Sequence, residues 1–202
     1  MDKREVPRQN QRVDTTQGHG EGRAILTIGY GNRTPESFLE LLLLHHTGLL
    51  VDVRSAPYSR TRPEFSGDSL RVQLPAQGIE YTFMGHSLGG QPDDPECFVN
   101  GRVDYVRCRR QAWFQTGVDE LQSMYDNPPQ LVLMCAELRP EQCHRSKLIG
   151  EELTARGIRV LHIDESGTEV PHVKVIERLS RGQLELFGSP TSSTMSRKRY
   201  HR

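Results

Sequence analysis

The chain has 202 residues, 35% of them apolar, with only six Phe and six Tyr, which suffices for one ordinary domain and is too little for two generous ones. Its formal charge is zero and its pI is near 7.1, so the whole molecule carries no field that would draw it to DNA or to an anionic membrane. No apolar run has the length of a bilayer span and the N-terminus lacks a signal-peptide apolar stretch; four cysteines without secretory context indicate free thiols in a reducing compartment, the cytoplasm.

Residues 1–22 mix Gln, Gly and both signs of charge without periodicity and are expected to be a disordered arm. The first strand is Ala24 to Ile28, followed by the turn Gly29-Tyr30-Gly31. Thr34 then caps a helix whose first residue is Pro35, with an apolar body from Phe38 to Leu44. Leu49 to Val53 reads as the second strand, Leu70 and Leu74 mark a helix, and Ile79 to Phe83 is the third strand. Gly85 to Pro95 is too polar and too rich in Gly and Pro to be core, and reads as a binding loop or a plain excursion, with His86 its one group that titrates near neutrality. A segment beginning near Val103 carries Val106, Trp113, Phe114, Val118 and Leu121 at helical spacing. Leu131 to Met134 and Ile158 to Ile163 are the last two strands.

Strands alternating with helices predict a single Rossmann-like α/β domain over residues 23–188: a three-layer sandwich with a mainly parallel sheet of about five strands. Residues 189–202 read as a flexible basic tail, since Ser189 to Thr194 resembles a linker and the last six residues hold four Lys or Arg. Such a tail gives salt-sensitive, sequence-independent attraction to nucleic acid.

In an open α/β sheet the ligand sits beyond the carboxyl ends of the strands. Those ends carry Tyr30, Asn32 and Arg33; then Asp52 and Arg54, leading into Tyr58, Ser59, Arg60 and Arg62; then Cys135, Glu137 and Arg139. Pro140 is expected to open a helix with Cys143, His144 and Arg145 in its first turn, where free N–H groups and the helix dipole favour an anion and lower a thiol pKa. The bland alternative packs Cys143 as a small hydrophobe and pairs Asp52 with Arg54 or Arg33 as a loop fastener. Gly29-Tyr-Gly31 lacks the spacing of a dinucleotide fingerprint, which disfavours NAD.

Thr27-Ile-Gly-Tyr-Gly-Asn32, Asp52-Val-Arg-Ser-Ala-Pro57, Arg62-Pro-Glu-Phe65, Gly78-Ile-Glu-Tyr81, Leu88-Gly-Gly90, Met134-Cys-Ala-Glu137 and Cys143-His-Arg145 together resemble the successive motifs of the domain of unknown function 488 family. The resemblance runs over nearly all of residues 24–172 and implies one small α/β domain, without implying a reaction. It carries the family's recurrent polar positions onto Tyr30, Asp52, Arg54, Ser59, Tyr81, Cys135, Glu137, Cys143, His144 and Arg145. Gly31 stands where the family usually has serine.

Three function classes follow. The leading one is an enzyme acting on a nucleotide or nucleic-acid component, by hydrolysis or transfer at a glycosidic bond, with Asp52 or Glu137 as acid or base, the arginines Arg54, Arg60, Arg139 and Arg145 on phosphate, and Tyr30, Tyr58 and Tyr81 as ring surfaces. The second is a thiol-dependent enzyme using Cys135 or Cys143, aided by His144. It would not be a Cys-x5-Arg phosphatase, because residues 141 and 149 are Glu and Ile. The third is a nucleotide or nucleic-acid binding module without chemistry. No cofactor is expected, with zinc the minority alternative: Cys135, Glu137, Cys143 and His144 are zinc-type ligands, but neighbours in a regular helical turn point about 100° apart and converge only if the backbone is irregular.

Overall fold

The computed structural model describes residues 23–127, 129–181 and 194–200. β1 (Ile25–Gly29) is buried along its whole length, as an apolar run covered on both faces must be. α1 (Pro35–Leu44) starts where Thr34 Oγ1 accepts from the Ser37 N–H at 3.1 Å, with Pro35 supplying a helical φ and no orphan donor. β2 (Thr47–Asp52), α2 (Gly67–Gln73), β3 (Glu80–Phe83) and a single turn, α3 (Gly85–Leu88), follow. Then come a two-stranded ribbon, β4 (Phe98–Val99) and β5 (Arg102–Val103), and two helices, α4 (Tyr105–Arg109) and α5 (Ala112–Asp126). β6 (Gln130–Cys135) leads through a 3-10 turn at Pro140–Gln142 and a π-helical stretch at Arg145–Gly150 into α6 (Glu151–Ala155). β7 (Val160–Ile163), β8 (Glu169–Pro171) and α7 (His172–Arg181) close the domain.

The sheet has six strands in the order β3-β2-β6-β1-β7-β8, all parallel except β8, which runs antiparallel to β7. The chain therefore moves outward from β1 through β2 to β3, then reverses, inserting β6 between β2 and β1 before continuing to β7. With right-handed crossovers, reversal of direction moves the connecting helices to the other face. Accordingly Phe38 and Leu42 of α1 and Leu70 of α2 pack with Ile28, Val132 and Met134 on one face, while Phe114, Val118 and Leu121 of α5 and Leu153 of α6 pack with Ile25, Leu131 and Leu133 on the other. The alternation along β6 places Cys135 on the α5 side, at the carboxyl edge.

The architecture matches the expected three-layer domain, with an added antiparallel strand, β8, and helix α7 beyond the elements read from sequence. One local expectation is corrected. The segment near Val103 is not helical from its start: Asn100 and Gly101 take positive φ of 50° and 73° and turn a hairpin, and α4 and α5 are separate helices. Residues 194–200 of the basic tail lie along β5: Met195 bridges Asp104, Ser196 N–H donates to Val103 O at 2.8 Å, and Tyr200 N–H donates to Gly101 O at 2.7 Å. The arm at 1–22 and the linker at 189–193 lie outside the described residues. Among the described residues no helix is long and apolar enough to cross a membrane.

Candidate functional site

Beyond β6 the backbone enters only a single 3-10 turn at Pro140 and not a regular α-helix. The turn at Pro140–Gln142 stops at Cys143, whose φ of −116° and ψ of 150° are extended, and the helical winding begins at His144. The Ser146 hydroxyl locks this corner by donating to Pro140 O at 2.6 Å. The irregularity removes the divergence expected of adjacent helical neighbours. Cys135, Glu137, Cys143 and His144 converge, with one ligand-type atom from each lying within 4.8 Å of all the others.

Within this group Glu137 Oε2 is 2.8 Å from Cys135 Sγ and 3.3 Å from Cys143 Sγ, and His144 Nδ1 is 3.6 Å and 3.7 Å from the same two sulfurs. His144 Nε2 lies 2.8 Å from the carbonyl oxygen of Val53, which only accepts, so the Nε2 proton is fixed there and Nδ1 faces the sulfurs. The Arg145 backbone N–H donates to Cys143 Sγ at 3.4 Å. Its fully buried guanidinium donates to the carbonyls of Glu137 and, at 2.9 Å, Leu138. Arg145 is thus a clamp on the loop that carries Glu137. Gly90 gives the imidazole its room: a Cβ there would meet His144 Cγ at 2.6 Å.

Burial opposes a thiolate at Cys143, yet the hydrogen bond from Cys135 and the positive charges of His144 and Arg145 bring its pKa down to about 6. Burial, together with the hydrogen bond and negative charge of Cys143, pushes the Cys135 thiol well above its ordinary value. Burial works against ionisation of Glu137 as well, but His144 and the two thiols hold its carboxyl below the usual range. Burial likewise opposes protonation of His144, and the charge and hydrogen bond of Cys143 outweigh it, raising the imidazole pKa.

Cys135, Glu137 and His144 border a cavity of about 380 Å³, while Cys143 lies behind them. Of the other residues singled out in the sequence, Tyr30, Arg54 and Tyr58 line it. Sequence reasoning missed Gln91, Tyr105 and Gln142, and above all Arg197, Lys198 and Tyr200 of the segment on β5, which form one wall. The basic composition of that segment was visible in the sequence; its return to the sheet edge carried no periodic signal.

Asp52 lies outside the lining. It is fully buried and holds Arg54 in a two-pronged ion pair, Nε to Oδ1 at 2.8 Å and Nη2 to Oδ2 at 2.5 Å, while Tyr81 donates to Oδ2 at 2.8 Å. Burial opposes the Arg54 charge, and Asp52 more than offsets it, holding the pKa above its ordinary value. The guanidinium sits 5.5 Å from the Tyr30 ring centroid, and that ring stacks on Phe65 at 4.5 Å. Ser59 Oγ accepts from the Arg62 N–H, Arg60 is exposed, Arg139 pairs with Glu165 at 3.5 Å on the surface, and His86 points to solvent beside Phe83. Cys97 and Cys108, the other two free thiols, are buried in the core.

Comparison with known families matches residues 34–151 to the family described as Domain of unknown function DUF488. The match starts after β1 and ends at the first residue of α6, a shorter span than the motif resemblance covers. No curated protein and no solved structure matches the chain.

Proposed function

The chain belongs to the DUF488 family, whose description assigns no reaction, and we propose that it is an enzyme with a thiolate-dependent reaction centred on Cys135 and Cys143. Its substrate is a small anion carrying a planar ring, with nucleotides the leading class. The observation that carries this reading is the convergence of two thiols, a carboxylate and an imidazole on the floor of a cavity. Cys135 borders the cavity and Cys143 lies behind it, so Cys135 is the sulfur that a substrate atom reaches, while the Cys143 thiolate beside it takes the Cys135 proton as Cys135 attacks. The substrate class follows from the lining: Arg54, Arg197 and Lys198 supply positive charge, and Tyr30, Tyr58, Tyr105 and Tyr200 supply ring surfaces. A volume of this size suits a single nucleotide-sized ligand. Asp52, held by Arg54 and Tyr81, positions the arginine and is not free to move a proton.

The test is a screen of nucleotides, modified nucleosides and short nucleic acids at low salt, followed by Cys135→Ser and Cys143→Ser on whatever substrate emerges. Each substitution should lower turnover at least about 100-fold with a smaller change in affinity. Full turnover in both serine variants would overturn the thiolate mechanism. A failure of every nucleotide and nucleic acid to bind would remove the substrate class.

A further inference from the structure

Deepening the thiolate reading, on which it rests, we propose that Cys135, Glu137, Cys143 and His144 together hold a divalent cation of the zinc class at the cavity floor. A tetrahedral zinc ion with bonds of about 2.3 Å to sulfur and about 2.0 Å to nitrogen needs sulfur-to-nitrogen separations of about 3.5 Å. The two such separations here are 3.6 and 3.7 Å. The Glu137 oxygen, at 2.8 and 3.3 Å from the sulfurs, sits inside the matching spacing of about 3.5 Å and completes the four donors by backing away about 0.7 Å from Cys135 and about 0.2 Å from Cys143.

The surroundings are those a ligand set requires. A metal-binding imidazole offers one nitrogen and anchors the other on a carbonyl or carboxylate, and His144 does this through Val53 O, leaving the Nδ1 lone pair for the cation. The backbone N–H of Arg145 on Cys143 Sγ supports negative charge on that sulfur. The Arg145 side chain fixes the Glu137 and Leu138 carbonyls, and so the approach of the carboxylate. A cation-free arrangement of the same groups is a poor one, because thiols are weak donors and here they are the carboxylate's side-chain partners. Two sulfurs and an imidazole select a zinc-class ion over magnesium or calcium, which take oxygen. Three of the four ligands border the cavity, so the ion faces it and polarises a bound group there once that group displaces the Glu137 carboxylate or enters as a fifth ligand.

The experiment uses the full chain, with elemental analysis of protein purified from zinc-supplemented medium. It is followed by removal of metal with a chelator under reducing conditions and titration with cobalt(II). The expected result is about one equivalent of zinc, and a cobalt spectrum with sulfur charge-transfer bands and the intense visible bands of a tetrahedral ion. Cys143→Ser should weaken cobalt binding by at least about 10–100-fold, since loss of even an outer contact has that effect. Glu137→Gln, which keeps the volume, serves the same purpose if the serine variant fails to fold, and Arg139→Ala should bind as wild type does. Folded wild-type protein that takes up neither zinc nor cobalt would overturn the proposal. If Cys135→Ser still abolished turnover in that case, the thiolate reading would stand alone. Stoichiometric zinc with undiminished turnover after its removal would instead support the site and remove its catalytic role.

Discussion

The α5 side of the sheet buries two groups of polar side chains built around histidine, and they solve the same physical problem in opposite ways. Along the middle of the sheet, Thr27 of β1 and its register partner His162 of β7 start a chain: Thr27 Oγ1 lies 2.7 Å from His162 Nδ1, His162 Nε2 lies 3.0 Å from His172 Nδ1, and His172 Nε2 lies 3.0 Å from Glu151 Oε1. One proton pattern satisfies every atom with both rings neutral: hydroxyl to His162, His162 to His172, His172 to carboxylate. Burial, with the nearby charge of Arg145, then drives the His162 pKa well below its ordinary value. At the carboxyl edge His144 is equally hidden, but one of its nitrogens faces two sulfurs, and its pKa moves up. A buried histidine chain whose partners are all oxygen or nitrogen in matched order is a fastener. One that faces soft, ionisable atoms beside a cavity is left with a nitrogen for the chemistry proposed above.

That contrast can be broken or sharpened by four measurements. The largest effect is expected from Arg145→Met, which leaves the Glu137 and Leu138 carbonyls without a donor; stability by chemical denaturation should fall by about 2–6 kcal/mol, at roughly 1–3 kcal/mol for each unmet group. An unaltered midpoint would show that Arg145 is not the clamp. Gly90→Ala should cost about 1–3 kcal/mol through crowding of His144 and depress turnover, while the pH dependence set by His162 stays the same.

For His162 the sign follows from its depressed folded pKa. The unfolded chain binds the proton first, so wild-type stability is fully present above about pH 6.5 and declines below it, by up to about 1.4 kcal/mol per pH unit, until the folded pKa is reached. Thermal midpoints of His162→Gln between pH 5 and 7 should give a flatter curve; an identical slope would place the titration elsewhere. Smallest is Glu151→Gln. This carboxylate is 37% exposed at its surface end, so removing its charge should change stability by no more than about 1 kcal/mol.

The sequence announced the layers through apolar runs of strand length and through Thr34-Pro35, where a cap and a fixed φ coincide. It also contained an unread sign: Asn100-Gly101 is the pair that two-residue hairpins favour, because both residues must take positive φ. β8 was illegible for a physical reason, since only Val170 of its three residues is buried and an edge strand that short has no period. The four residues of the thiol cluster were all legible as chemistry, but their convergence was not. It depends on one extended residue, Cys143, in a stretch whose proline argued for a regular helix. Asp52 and Arg145 were legible as polar residues at strand ends, yet nothing in the sequence distinguishes a charge that meets a ligand from one that holds the loop behind it.

β6 lies between β2 and β1 although it is made long after both, so neither of those strands can complete its pairing until it arrives. Contacts between distant parts of a chain form slowly, and until they form the thiols at 135 and 143 face solvent. Folding and the burial of these two sulfurs are therefore a single kinetic event. Refolding under oxidising conditions should yield a trapped, incorrectly cross-linked fraction that a reductant recovers.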